Sequence, residues 1–220
     1  GKKADITARV NQIKAQINDP EVNMEVVQLE KAPKIAVYTP PNKMPWDDAV
    51  TLVLEYAEIK YDKIYDSAIV NGILPKYDWL HLHHEDFTGQ YGKFFGNYRN
   101  APWYIQQKAE AEALAKKLGY NKVSEEKLAV AQKIREYVLG GGFMFAMCSA
   151  TDSFDIALSA DDVDIAESMF DGDPSESDYQ SKINFNKTFA FKDFNLIRNP
   201  TTYEFSSIDM TTKRFIPKTS

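Results

Sequence analysis

The chain is poor in the residues that most often carry chemistry: its 220 residues include one cysteine and three histidines. A single thiol excludes an intrachain disulfide and any cysteine-built zinc cage. Clustered positive charge is also missing. With 26 basic against 32 acidic residues and a formal net charge of -6, nothing suits a nucleic-acid backbone as partner. No apolar run approaches the roughly 18 residues of a membrane span. Residues 1–20 read as a charged amphipathic helix rather than a signal peptide, and a start at Gly1 fits an expression remnant or a trimmed precursor. There is no internal repeat and no low-complexity tract. What is plentiful is apolar. At 44% hydrophobic and 13% aromatic, the chain can bury a substantial core in one large or two small domains, which excludes a disordered polypeptide.

Apolar spacing divides the chain into alternating helices and strands. Ile6, Val10, Ile13 and Ile17 predict a helix over residues 4–18, stopped by Asn18-Asp19-Pro20. Val22 to Leu29 reads as a helical turn or an extended connector. A strand over 34–38 ends in the loop Thr39-Pro40-Pro41-Asn42. A helix follows from Trp46 to about Ile59, with Asp47 as its cap. Tyr61 to Tyr65 is a second strand, Asp66 to Pro75 a loop, and Tyr77 to His84 a third strand. Residues 93–104 are aromatic and irregular. Helical patterns then run over 105–118 and 124–139. Glu125 and Glu126 suit the second helix's N-terminus, although Ser124 with Lys127 is not a capping box. After the glycine triplet, Phe143 to Met147 has the length of a buried strand. Asp161 to Asp178 is acidic and turn-rich. Thr188–Phe194 and Thr202–Phe205 look like short strands on either side of Pro200, and the last ten residues look like a tail. Such alternation implies βαβ units, hence an α/β sandwich with a mainly parallel sheet. Ligands of such sheets sit at the carboxyl ends of the strands. Residues 1–30 are then an N-terminal helical segment and 195–220 an extended C-terminal one.

The lone cysteine falls where chemistry would need it. Strand Phe143–Met147 runs into Cys148, then Ser149, Ala150, Thr151, Asp152 and Ser153, then the helical pattern from Phe154. Strand, tight turn with a nucleophile, helix: this is the layout of a nucleophile elbow. Ala146 and Ala150 supply the small flanks that such a turn requires. A core cysteine at a strand end is the alternative reading. All three histidines lie within His81, His83 and His84, followed by Glu85 and Asp86. On a strand, His81 and His83 share one face and His84 takes the other. A metal there would need Glu85, Asp86 or distant carboxylates, since no further histidine exists; no metal and no cofactor are expected. In a catalytic pairing, His83 or His84 serves Cys148, with Glu85 or Asp86 orienting the imidazole and the Ser149 amide holding the oxyanion. Thr39, Asp86 and Gln90 lie on the loops that meet this edge if the strands are neighbours, and are candidate binding residues. The acidic run Asp171–Asp178 suggests calcium but lacks an EF-hand's glycine and terminal glutamate, so a solvated loop is the better reading. Phe94, Phe95, Tyr98, Trp103 and Tyr104 form an aromatic patch, expected as core or a lid.

The elbow Ala146-Met147-Cys148-Ser149-Ala150 resembles that of the class I glutamine amidotransferase-like superfamily, which includes the ThuA-like and DJ-1-like proteins. Longer runs extend the likeness: Leu29–Tyr38, Pro45–Thr51, Trp79–Gly92 and Gly141–Cys148 look like a Bacteroidota family often auto-named asparagine synthetase B. The resemblance implies a flavodoxin-like three-layer sandwich over 1–220, one domain of a longer chain with an export signal ahead of it, hence a periplasmic or exported protein. It implies a Cys-dependent hydrolase or amidotransferase. The alternative is a non-catalytic exported protein that binds a carbohydrate or a protein partner on the same scaffold. Asparagine synthesis is not expected, because residue 1 is Gly and no Ser-Gly-Gly-x-Asp-Ser loop is present. The chain departs from working amidotransferases in having no histidine after Cys148, and Ala150 where they usually carry Gly.

Overall fold

The computed structural model describes residues 2–17, 32–41 and 49–209. The predictions for Val22–Leu29, the Asp47 cap and the last ten residues fall outside the described residues. Two compact units divide the chain at Pro33/Lys34. The described part of the first is helix α1, Lys2–Ile17, on which Ile6, Val10 and Ile13 are exposed.

The second unit is built on four strands, each of four residues: β1 (Ile35–Tyr38), β2 (Tyr61–Ile64), β3 (Trp79–Leu82) and β4 (Phe143–Ala146). Every pairing is parallel and the order is β2-β1-β3-β4. Between β1 and β3 lie α2 (Ala49–Tyr56) and α3 (Asp66–Val70). Between β3 and β4 come α4 (Phe95–Tyr98), α5 (Pro102–Lys117) and α6 (Val123–Leu139). After β4 follow α7 (Ser149–Ser159), α8 (Ser168–Asp171) and α9 (Tyr179–Lys182). The protein is thus α/β with an all-parallel sheet among the described residues.

Alternation along each strand sorts side chains between two faces. Ala36, Tyr38, Leu80 and Leu82 face a core supplied by Ile69 of α3, Val130 and Ile134 of α6, and Phe154 of α7. On the opposite face Ile35 and Val37 pack against Leu54 of α2. On the same face His81 of β3 is buried, while the edge strand is not. Phe143 and Phe145 of β4 are 56% and 46% exposed. The expected buried strand is therefore an edge strand covered on one face only.

Two further expectations are corrected. Asp66–Pro75 is not a plain loop: it holds α3 and a 3-10 turn at Leu74–Lys76. A five-residue helix is too short to show a period, and it is stabilised by the burial of Asp66 and Ile69. Thr188–Phe194 and Thr202–Phe205 are not strands. The amides of Phe189, Ala190 and Phe191 donate to the buried carboxylate of Asp155 in α7, at 2.7, 2.8 and 2.9 Å, and so have none left for a sheet ladder. Among the described residues one isolated antiparallel bridge joins Leu196 to Ser206. At the start of α6, Glu125 reaches back and accepts the Asn121 and Lys122 amides at 2.9 and 3.2 Å, which is how that helix is capped.

The sheet and the helices are tied by one buried cation. Lys127 of α6 donates to Asp66 at 2.6 Å, to Tyr38 at 2.9 Å and to Tyr65 at 3.2 Å, using all three ammonium hydrogens. Tyr38 in turn donates to Asp66. Burial alone would push the lysine pKa down; the Asp66 carboxylate overrides it and holds it high. Removing one member of such a pair strands a buried charge, so Asp66→Ala is expected to cost about 3–5 kcal/mol in urea unfolding. Neighbouring Glu126, buried, is pushed up to about 8 by desolvation, against the pull of Lys127. The folded protein then holds a proton that the unfolded chain releases, so this stability is complete below the ordinary value of 4.5 and is lost as pH rises to about 8. Urea midpoints are expected to fall over that window in the natural protein and to fall less in Glu126→Gln; equal slopes would contradict the assignment.

Candidate functional site

Strands β1, β3 and β4 are neighbours, so their carboxyl ends bring three segments to one edge: Thr39–Pro41, His83–Gln90 and Cys148–Asp152. Main-chain bonds fix the last two together. Met147 donates to the Leu82 carbonyl at 3.0 Å and Ala150 to the His83 carbonyl at 3.3 Å.

The elbow is real in its backbone. Cys148 stands between β4 and α7 with φ 50° and ψ -135°. Positive φ in a residue with a Cβ is strained and survives only where surroundings enforce it. Here they are the strand pairing behind, α7 ahead and the fully buried Ala150 beneath. The thiol itself is exposed. This overturns the packing explanation for the cysteine, since an exposed sulfur gains little from the core.

The imidazoles are arranged differently from a strand pattern. Regular β3 ends at Leu82, so alternation stops before His83. His84 does not turn to the opposite face; its ring centroid lies 3.7 Å from that of His83. His81 is buried and stacks on Phe145 at 5.7 Å between centroids. Glu85 is buried, and its carboxylate accepts the main-chain amide of His83. Asp86 organises the loop. It accepts from the Thr88 amide and hydroxyl at 2.7 and 2.6 Å and from the Gly92 amide at 2.8 Å. Gln90 donates to the Thr88 hydroxyl at 3.0 Å. Within this loop Gly89 has φ +79°, and a Cβ there would lie 2.8 Å from the Ser124 backbone, so the loop packs against α6 through a position only glycine fills. Thr39 is half-buried and pairs its amide with the Ile64 carbonyl at 3.0 Å. Ser149, half-buried, opens α7.

Residues that the sequence reading passed over complete the surroundings of the thiol. Asp152, in the first turn of α7, is 5% exposed, and among the described residues its Oδ2 has no hydrogen-bond partner. Burial pushes this carboxyl up to about 7, opposed by its own amide and that of Ser153 and reinforced by the Asp209 and Asp86 carboxylates. The Tyr203 hydroxyl is raised by burial, then by Cys148, Asp209 and Asp152. Tyr203 joins the aromatic patch through Phe94, 6.1 Å away, which meets Trp103 at 5.8 Å and Tyr98 at 6.0 Å. The patch is therefore a ring cluster bordering the elbow. Nothing in sequence spacing connects residue 203 to residue 148.

Between the ends of β1 and β3 a cavity of about 40 Å³ is lined by Tyr38, Tyr65, Glu85, Asp86, Tyr91 and Lys127. In the acidic stretch Asp164, Asp171 and Asp173 converge within 4.8 Å, and Lys122 Nζ bonds them at 2.6, 3.0 and 2.6 Å, so one ammonium group offsets part of the charge of three carboxylates. Among the described residues they, rather than the histidines, are the set close enough for an ion.

The strain makes a prediction. Cys148→Gly is expected to raise stability by about 1 kcal/mol, the relieved φ outweighing glycine's extra freedom when unfolded. A clear loss in urea midpoint would mean that the sulfur supports the fold. Comparison with protein-family models, with curated proteins and with solved structures returned no match.

Proposed function

We propose that the chain is a cysteine-dependent hydrolase or acyl transferase on a flavodoxin-like, amidotransferase-like scaffold, with Cys148 as nucleophile. One observation carries this reading: an exposed thiol held at positive φ where a parallel strand meets a helix. Strain of that kind is retained where it presents a reacting atom. The strand order supports the scaffold, since β1 lies between β2 and β3 as in doubly wound sheets, whose ligands bind beyond the carboxyl ends.

The chemistry follows from the turn. At the start of α7 the amides of Ala150 and Thr151 are engaged, by the His83 and Met147 carbonyls and by the Cys148 carbonyl. The Ser149 amide is the donor placed for an oxyanion on a carbonyl attacked by the sulfur. His83 is tied to the elbow through its main-chain carbonyl, which accepts the Ala150 amide, and His84 follows it, so these two are the imidazoles proposed to serve the thiol. The aromatic cluster reached through Tyr203 offers an apolar wall for a substrate. Periplasmic location and the amidotransferase likeness remain part of the proposal and draw support from the sequence runs alone.

A second reading has its own observation. Parallel sheets are ordinarily covered on both faces, yet Phe143, Phe145 and Met147 are exposed. A protein that binds a partner through this face, without catalysis, would use them.

Alkylation separates the two. Native protein is expected to lose its one thiol to iodoacetamide at pH 7, and to hydrolyse p-nitrophenyl acetate with an acyl-enzyme burst that Cys148→Ser lowers by more than about a hundredfold. A thiol that reacts only after unfolding, with esterase activity indifferent to Cys148→Ser, would falsify the catalytic reading.

A further inference from the structure

We propose that Asp164, Asp171 and Asp173 form a calcium site, in which the Lys122 ammonium holds the ion's place until the ion binds. The site is independent of the elbow and of any role for Cys148. Sequence spacing does not reveal it, because Asp164 and Lys122 arrive from outside the run Asp171–Asp178.

The ammonium stands where a coordinated cation would stand. One carboxylate oxygen from each acid lies within 4.8 Å of the others. Lys122 Nζ is 2.6 Å from Asp164, 3.0 Å from Asp171 and 2.6 Å from Asp173. Calcium–oxygen distances are about 2.3–2.6 Å, so an ion at that point needs the oxygens to close by about 0.7 Å at most. Magnesium, at about 2.0–2.1 Å, needs about 1 Å and a stricter octahedron. All three donors are carboxylate oxygens, which suit a hard cation rather than zinc or copper. Gly172, at φ +101°, turns the chain between Asp171 and Asp173 and lets both carboxylates reach one point.

Asp171 shows that the ammonium leaves the site unfinished. Its side chain is 7% exposed, and among the described residues its Oδ1 has no hydrogen-bond partner. Its Oδ2 meets the ammonium at the longest of the three distances. A buried carboxylate oxygen without a donor is costly. Calcium accepts a carboxylate through both oxygens, which the ammonium in this position does not do.

Charge points the same way. Residues 161–178 hold eight acids and no basic residue. Among the described residues Asp161 pairs with Lys187, Glu167 with Arg198, and Glu176 and Asp178 with Lys182. None of those cations serves more than two acids, whereas Lys122 serves three. Three carboxylates against one ammonium leave two negative charges, which one divalent ion matches. Lys122 and Asp164 also line a cavity of about 310 Å³, which gives a hydrated ion its way in. The flexible lysine stem lets the ammonium swing out to solvent as the ion enters.

The test is calorimetric titration of the full chain with calcium chloride at constant ionic strength. One calcium per chain is expected, with a Kd of about 10⁻⁴–10⁻³ M, the weak end of the calcium range, because a tethered ammonium competes. Magnesium is expected to bind more weakly. Lys122→Met removes the competitor and is expected to tighten calcium about tenfold; Asp171→Asn is expected to weaken it about tenfold or more. Asp178→Asn, outside the trio, is expected to change the Kd by less than about twofold. No calcium binding up to about 10 mM in any folded form overturns the proposal. So do equal responses to Asp171→Asn and Asp178→Asn, which mean a diffuse counterion cloud, and weaker binding in Lys122→Met. Where a variant does not fold, the natural protein decides. Saturating calcium is expected to speed acetylation of Lys122 by acetic anhydride about threefold or more, read by peptide mass spectrometry, since the displaced ammonium loses its carboxylates. Calcium binding with the Lys122 rate unchanged places the ion elsewhere and overturns the assignment.

Discussion

One ammonium group holds the carboxyl edge of the sheet in place. Lys127 reaches from α6 under the sheet to the last residue of β1, to the residue after β2 and to the first residue of α3, through Tyr38, Tyr65 and Asp66. Those are the elements whose ends frame the switch between β2-β1 and β3-β4. In a buried setting the ammonium is worth keeping only if each hydrogen has an acceptor, and here each does. The same edge carries the cavity, the loop organised by Asp86 and, two strands along, the elbow. Without that fixed edge, the His83 carbonyl and the Leu82 carbonyl would not meet the elbow amides, and positive φ at Cys148 would relax.

The core and the site obey different rules. Val37, Leu80, Ile134 and Ile156 are fully buried and interchangeable in kind with other apolar residues. The elbow depends on exact neighbours: Ala150 because it is wholly enclosed, Gly89 because a Cβ would strike the Ser124 backbone at 2.8 Å, and Cys148 because its backbone is held away from any relaxed well. Positive φ recurs at Glu58, Tyr91, Lys93, Asp162 and Asp193; among these described residues Cys148 is the one that joins a strand directly to the helix after it.

Much of the scaffold was legible in the sequence because its elements have periods. Apolar runs marked β1 and β4, alternation marked β2, the stretch from Tyr77 to His84 gave β3, and helical patterns marked α1, α5 and α6. That β1, β3 and β4 are neighbours, which brings three loops together, was a condition that βαβ logic allowed without dictating, and the strand order meets it. Three features were illegible for physical reasons. α3 is shorter than two turns, so it has no period to read. Residues 188–194 have strand-like composition, but their amides go to Asp155, a tertiary bond that no local pattern announces. His84 escaped the predicted alternation because the strand ends first. The candidate site shows the same division. Cys148 stood out as a single thiol after a strand, while Asp152 looked like an ordinary acid in a helix's first turn, and Tyr203 was remote in sequence.

The carboxylates give the last distinction. Asp66 has Lys127, the trio Asp164, Asp171 and Asp173 shares Lys122, Asp161 has Lys187, and Asp155 and Asp86 have main-chain amides. These acids have partners, whereas Oε1 of the buried Glu126 and Oε1 of the buried Glu204 have none among the described residues. Asp152 is buried as deeply as Asp86, yet the helix that supplies it gives Oδ2 no donor. A fold that satisfies Asp155 three residues further along the same helix had the means to satisfy Asp152 or to replace it with an apolar residue, and either would have been more stable. Desolvation raises this carboxyl to about 7 against the pull of two main-chain amides, as it raises Glu126 of α6 to about 8, so a buried acid shifted toward neutrality is not by itself the mark of a site.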